Sequence, residues 1–274
     1  MSTQTIEATT PRVGQVKPGF SLPGIDQPAT PVTFGRLVRV ETRKQLDTLA
    51  GRWFLISIGL VVAVVIVIML SVGGGNHSFM DYLMATSTPL AILVPILGIL
   101  TATSEWSQRT AMTTFSLEPR RGRVVAAKVV SSVVVGLGAF AVAVVLAVLG
   151  HLAAVTFRDA TAAWDLNWWV IGGMLILTIS SVGQGLAFGL ALLNTPAAIV
   201  AYLVLPMVWS MLTALVSWAR DVGAWLDLGM TQAPLTMGEA LTGQEWAKLG
   251  VSTAVWLGLP LAIGVWRVLR REVK

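Results

Sequence analysis

The residues able to take part in polar chemistry gather in one short stretch. Between Ser104 and Lys128 the chain carries Glu105, Arg109, Thr110, Glu118, Pro119, Arg120, Arg121 and Arg123, ending at Lys128 itself. Two carboxylates and five cations around a proline can dock and hydrogen-bond. They are not a set that attacks or transfers a group, because no histidine or cysteine stands among them. The remaining inventory is thin. Cysteine is absent, which removes disulfides, thiolate metal sites and thiol nucleophiles. Two histidines, His77 and His151, are too few for the usual histidine-rich metal sites. His-Glu-x-x-His, Gly-x-Ser-x-Gly, paired carboxylates inside apolar runs and the Gly-x-x-x-x-Gly-Lys-[Ser/Thr] phosphate loop are all missing. No catalytic residue, metal site or bound cofactor is expected, and the chain is not expected to be an enzyme.

The elements that hold this stretch are set by composition. Of 274 residues, 55% are hydrophobic and only 12% charged, against about 25% charged in a soluble domain. A soluble fold could not coat itself with so few charges, so the bilayer must act as part of the solvent. Six apolar runs are long enough for a hydrocarbon core of about 30 Å: 53–72, 82–103, 124–155, 168–193, 197–218 and 249–266. Continuous runs such as Ile58 to Leu70 exclude the alternating strands of a barrel, so the fold class is an all-α membrane protein.

Charge then sets an expected orientation. Seven Lys and Arg precede the first span, five lie between spans two and three and four follow the last, leaving 3 of 19 on the other side. The positive-inside rule places both termini in the cytoplasm. The acids divide equally and no basic run forms an arm, so no nucleic-acid partner is expected. Residues 1–32 carry five prolines and little that packs, and read as a disordered cytoplasmic tail with no cleavable signal peptide. Residues 33–52 read as an interfacial helix, with Arg36, Arg39 and Arg43 at i, i+3, i+7 and Phe34, Val38, Leu46 and Leu49 on another side. The six-span membrane body is then 53–274.

Other signals are structural. Ser181, Gly185 and Gly189 at i, i+4, i+8 predict close helix packing in span four, with Gln184 able to hydrogen-bond between helices. Thr236-x-x-Glu239 and Thr242-x-x-Glu245 predict capped short outer helices between spans five and six. His151 falls near the outer interface.

About twenty residues between spans two and three exceed a plain connector, and Gln108 to Leu117 followed by Pro119 predicts a short transverse helix. A Glu ending the second span, a Thr-containing short helix, Pro-x-x-x-Arg and a Lys heading the third span resemble the ABC-2 type permease family. The run Val40-Glu-Thr-Arg-Lys-Gln-Leu and the ending Leu-Pro-Leu-Ala-Ile-Gly-Val-Trp-Arg-Val-Leu-Arg-Arg-Glu-Val-Lys274 are also similar to bacterial members. One departure is Arg109, where the family often has Gly before Thr110. The resemblance implies a transmembrane subunit in a bacterial cytoplasmic membrane that pairs with a second permease and two cytoplasmic ABC ATPase subunits, with ATP and Mg held by the ATPase. It implies that Glu105 to Lys128 is a coupling region whose helix and charged ends dock the ATPase. It also implies export of an amphipathic or lipid-like small molecule or drug along a path near Pro95, Pro206, Trp209 and Met211. The competing reading is a membrane-embedded accessory or sensor protein that docks a cytoplasmic partner without transport.

The orientation is testable in this cysteine-free chain. An Arg121→Cys variant in intact cells is expected to resist an impermeant thiol reagent and to react after permeabilisation, and labelling from outside would reverse the frame.

Overall fold

A computed structural model describes residues 32–72, 77–158, 160–161 and 163–271, with Ser217 and Trp218 described in backbone only. The expected tail lies, up to residue 31, outside the described residues. Every regular element among the described residues is helical. They are α1 (Phe34–Asp47), α2 (Leu49–Val72), α3 (Phe79–Ala85), α4 (Ser87–Ser107), α5 (Ala111–Leu117), α6 (Arg121–Phe157), α7 (Trp168–Leu192), α8 (Thr195–Leu215), α9 (Ser217–Leu226), α10 (Leu228–Gln232), α11 (Gly243–Thr253) and α12 (Leu259–Arg270). Six are long and apolar enough to cross a membrane, counting α3–α4 and α11–α12 as single spans. They agree with the expected runs to within a few residues.

Local chemistry places the ends. Asn167 accepts the Trp169 and Val170 amides and caps α7, and Asn194 accepts the Ala197 amide and caps α8. Leu193 between them is left-handed at φ 52°, which reverses the chain in two residues. Thr242 and Glu245 form the expected capping box at α11. The second expected box does not form: Thr236 closes a 3₁₀ turn, Ala233–Thr236, and its hydroxyl donates to the Ala233 carbonyl. Pro260 follows a π-helical turn, Ala254–Gly258, whose widened backbone admits a residue that cannot donate.

The expected interfacial helix 33–52 is two elements. Thr48 is extended (φ −70°, ψ 143°), so α1 stops at Asp47 and Leu49 begins the first span. The side of α1 turned inward is polar, with Glu41 and Gln45 buried, while Leu46 is exposed. At about 100° per residue, Arg36, Arg39 and Arg43 lie opposite Glu41 and Gln45, and all three are exposed.

The centre of the bundle is the seam between α4 and α7. Within their most apolar 18-residue windows, half the residues of α3–α4 and of α7 are buried, against 17% for α2, 11% for α8 and 17% for α11–α12. The last three therefore present apolar flanks outward. Glycines let the seam close: a Cβ at Gly98 would stand 2.3 Å from the Val182 carbonyl oxygen, and one at Gly185 would stand 1.9 Å from that of Pro95. A Cβ at Gly189 would meet Ala102 and Ile99. Gly185 and Gly189 thus act as the spacing predicts, whereas Ser181 lies on the wall of a cavity. Pro95 belongs to the same seam.

His151, in the last two turns of α6, is fully buried. Its ring lies edge-on to Trp164 at 4.8 Å between centroids, with Tyr82 at 6.2 Å and Phe79 at 6.4 Å. Neither ring nitrogen has a hydrogen-bond partner.

Gly185→Ala is expected to lower stability by about 1–3 kcal/mol, because the obstacle is backbone that cannot move aside. Gly138→Ala, whose Cβ meets nothing within 4 Å, should be neutral or mildly stabilising. Thermal unfolding in detergent compares the two, and equal midpoints would contradict the seam.

Candidate functional site

The site is built where α1, the last turn of α4 and the first turns of α6 meet. An acid or an amine inside such apolar surroundings costs several kcal/mol unless it is paired, which restricts what the three helices can bring together. Glu41 on α1, Glu105 on α4 and Lys128 on α6 are 4%, 3% and 2% exposed. The Lys128 Nζ lies 2.8 Å from Glu41 Oε2 and 3.3 Å from Glu105 Oε1. Lys44, on the α1 face beside Glu41, places its Nζ 2.6 Å from Glu41 Oε1 and 3.2 Å from Glu105 Oε1. Two carboxylates and two ammonium groups thus close a neutral, alternating ring. Lys128 also donates to the Thr101 carbonyl at 3.0 Å, and Gln45 donates to the Ser131 hydroxyl at 3.0 Å.

The environment tunes the α1 members of the ring. Burial alone would push the Glu41 carboxyl up, but Lys128 and Lys44 outweigh it and hold the group below its ordinary 4.5. Burial would push Lys44 down, but Glu41 and Glu105 hold it above its ordinary 10.5. A depressed acid contributes stability that is present above the unfolded value and lost as pH falls through the folded one. A raised amine contributes stability that is present below 10.5 and lost as pH rises through its folded value.

The connector begins directly after this ring. Arg109 is left-handed at φ 56°, a conformation that glycine adopts without cost, and this turn lets Thr110 donate to the Glu105 carbonyl at 2.9 Å. The Glu105 carboxylate is taken up by Lys44 and Lys128 and does not cap α5, which begins without a side-chain cap. The inner side of α5 packs through Ala111 and Phe115, the latter against Trp106. Its outer side carries Met112, Thr113, Ser116 and Leu117, with Met112 57% and Leu117 75% exposed.

The far end of the connector is tied down as well. Glu118 is buried, accepts the Arg120 amide at 3.2 Å and pairs with Arg123 at 3.0 Å, closing the N-terminus of α6 around Pro119. Arg121 sits 4.9 Å over the Phe115 ring and donates to the carbonyls of Val268 (2.8 Å) and Arg271 (2.6 Å), so it caps the C-terminus of α12. Arg267 likewise donates to the Ala191 carbonyl at the end of α7, and Arg271 stacks over Trp106.

Of the charges expected at the coupling region, Glu105, Glu118, Arg121 and Arg123 therefore engage groups of this chain, while Arg109 and Arg120 are exposed. Among the expected path residues, Pro206 lines a cavity, Trp209 has a buried indole nitrogen without a partner, and Met211 faces outward. Glu41 and Lys44 were not singled out by sequence, and Lys128 was noted only as the end of the connector. The available signal was Lys128 itself, which lies inside the apolar start of the third span, where an amine demands a carboxylate partner. No protein-family model matches this chain, and no curated protein matches its sequence.

Lys128→Met should destabilise the fold by about 3–5 kcal/mol, because it leaves two buried carboxylates sharing one ammonium. The thermal midpoint of the parent should be level from roughly pH 5 to 10 and fall on the acid side as Glu41 protonates below 4.5. A midpoint that rises on acidification through that range would contradict the ring.

Proposed function

We propose that this chain is the transmembrane subunit of an ATP-driven ABC exporter, in which motion delivered to α5 is passed to the spans. The observation that carries the reading is the attachment of α5 at both ends. One end leaves the buried ring that joins α1, α4 and α6, and the other leads into the Glu118–Arg123 pair and the Arg121 clamp on α12. A push on a short helix so fixed moves the helices with it rather than bending a loop.

The docking surface differs in kind from a charged patch. The outward face of α5 pairs apolar Met112 and Leu117 with the hydroxyls of Thr113 and Ser116, which suits a shallow groove on a soluble motor. Arg109 and Arg120 flank that face and would steer rather than anchor, since exposed pairs contribute at most about 1 kcal/mol each. The basic end of the bundle faces the cytoplasm in this reading, following the 16 to 3 division of Lys and Arg. The weakly buried flanks of α2 and α8 would meet lipid or a second permease. With no phosphate loop in the sequence, hydrolysis of ATP falls to a separate chain. Cargo is an amphipathic or lipid-like molecule in the membrane of a bacterial cell.

The experiment is co-purification with an ATPase encoded beside the gene, followed by transport in vesicles. ATP hydrolysis and transport should appear only with both chains. A Met112→Asp, Leu117→Asp pair should weaken ATPase association by at least about tenfold while leaving an intact, monodisperse chain. Saturable hydrolysis by the isolated chain, or association unchanged in the pair, would refute the reading. A stable soluble partner with no ATP dependence would favour the accessory or sensor reading.

A further inference from the structure

Beneath α10, between α4, α7 and α8, lies a cavity of about 470 Å³, within the range of about 300–1,000 Å³ typical of small-molecule sites. Among the described residues, no Asp, Glu, Lys, Arg or His lines it. Along α7 its wall runs from Met174 to Gln184, about 15 Å at 1.5 Å per residue. The lining mixes serine, threonine and glutamine side chains with leucine, isoleucine and proline.

Hydrogen bonding decides what the cavity can recognise. Thr178 donates its hydroxyl hydrogen to the Met174 carbonyl and Ser181 donates to that of Thr178, so each offers only an acceptor oxygen to a guest. Tyr202 is likewise committed, donating to the Ala91 carbonyl at 3.3 Å. Gln184 is different. It is 3% exposed, lines the cavity, and its amide Nε2 has no partner among the described residues. An unpaired donor so buried is costly, and a guest carrying an acceptor would satisfy it.

We propose that this cavity is a binding site, complete within one chain, for an uncharged amphipath whose carbonyl or similar acceptor pairs with Gln184. A charged headgroup would enter without a counter-charge and be rejected by its desolvation cost. The wall residues Ala91 and Ile92 on α4 and Leu203 on α8 are exposed on the apolar flank, so the guest arrives sideways from the bilayer. The site needs no ATPase partner, so it can fail while the exporter reading stands, and the reverse.

The probe is a monoacylglycerol with a diazirine in its acyl chain, incorporated into nanodiscs holding the full chain, irradiated and mapped by mass spectrometry. The expected result is labelling of α7 peptides around 177–184 and α4 peptides around 88–92 that unlabelled monoacylglycerol competes away. Gln184→Leu should reduce this labelling about three- to tenfold. Ala91→Trp, a surface change at the mouth that threatens the fold least, should abolish it. A lysophosphatidic acid with the same photoreactive tail should not label these peptides. Labelling that spreads evenly over the outward faces of α2 and α8, persists in Ala91→Trp, or is matched by the anionic probe would overturn the proposal.

Discussion

Two buried carboxylates held between a buried and a part-exposed ammonium group, where three helices meet, are the constraint on which the basic end of this bundle depends. Glu41, Glu105 and Lys128 could not remain charged in that place alone, and with the part-exposed Lys44 they form a neutral ring in which every member touches two opposite charges. Because the members come from α1, α4 and α6, pairing and helix docking are one event. It also explains why α1 turns a polar face inward: that face completes the ring, and its arginines are left outside.

Three of the other charges near the basic end serve helix termini. Arg121 closes α12, Arg267 closes α7 and Glu118 closes the start of α6, each supplying groups that a helix end lacks. At the opposite end Asp227 plays a similar part, capping α10 through the Met230 amide while accepting the Ser210 hydroxyl of α8. Trp256 ties α11–α12 to the same region by donating to the Leu226 carbonyl. Between these polar ends the seam of α4 and α7 is held by close contact, with Gly98, Gly185 and Gly189 permitting the approach.

Much of the fold was legible because spans are written as continuous runs: six apolar stretches became six membrane-long helices, and the i, i+4 glycines of α7 found their seam. What escaped was any feature whose partners are distant in sequence. Glu41, Glu105 and Lys128 read locally as flanking charges of three different segments, and only the packed bundle shows that they neutralise one another. The same locality ran the interfacial helix on to residue 52, past the break at Thr48, which nothing in the local sequence marks. Arg109 is a partial exception. It stands at the junction of the second span and the short connector helix, and its φ of 56° makes that turn.

The central claim, that this ring is a coupled unit joining α1 to the spans, is tested most directly by a double-mutant cycle on Glu41 and Lys128. Glu41→Gln, Lys128→Met and their combination would be unfolded in detergent at neutral pH. Removing both charges at once leaves Lys44 paired with Glu105, so the account predicts that the double variant is more stable than the sum of the single losses by at least about 1.5 kcal/mol. Losses that add within about 0.5 kcal/mol would mean the two groups do not share a buried partner, and would contradict it.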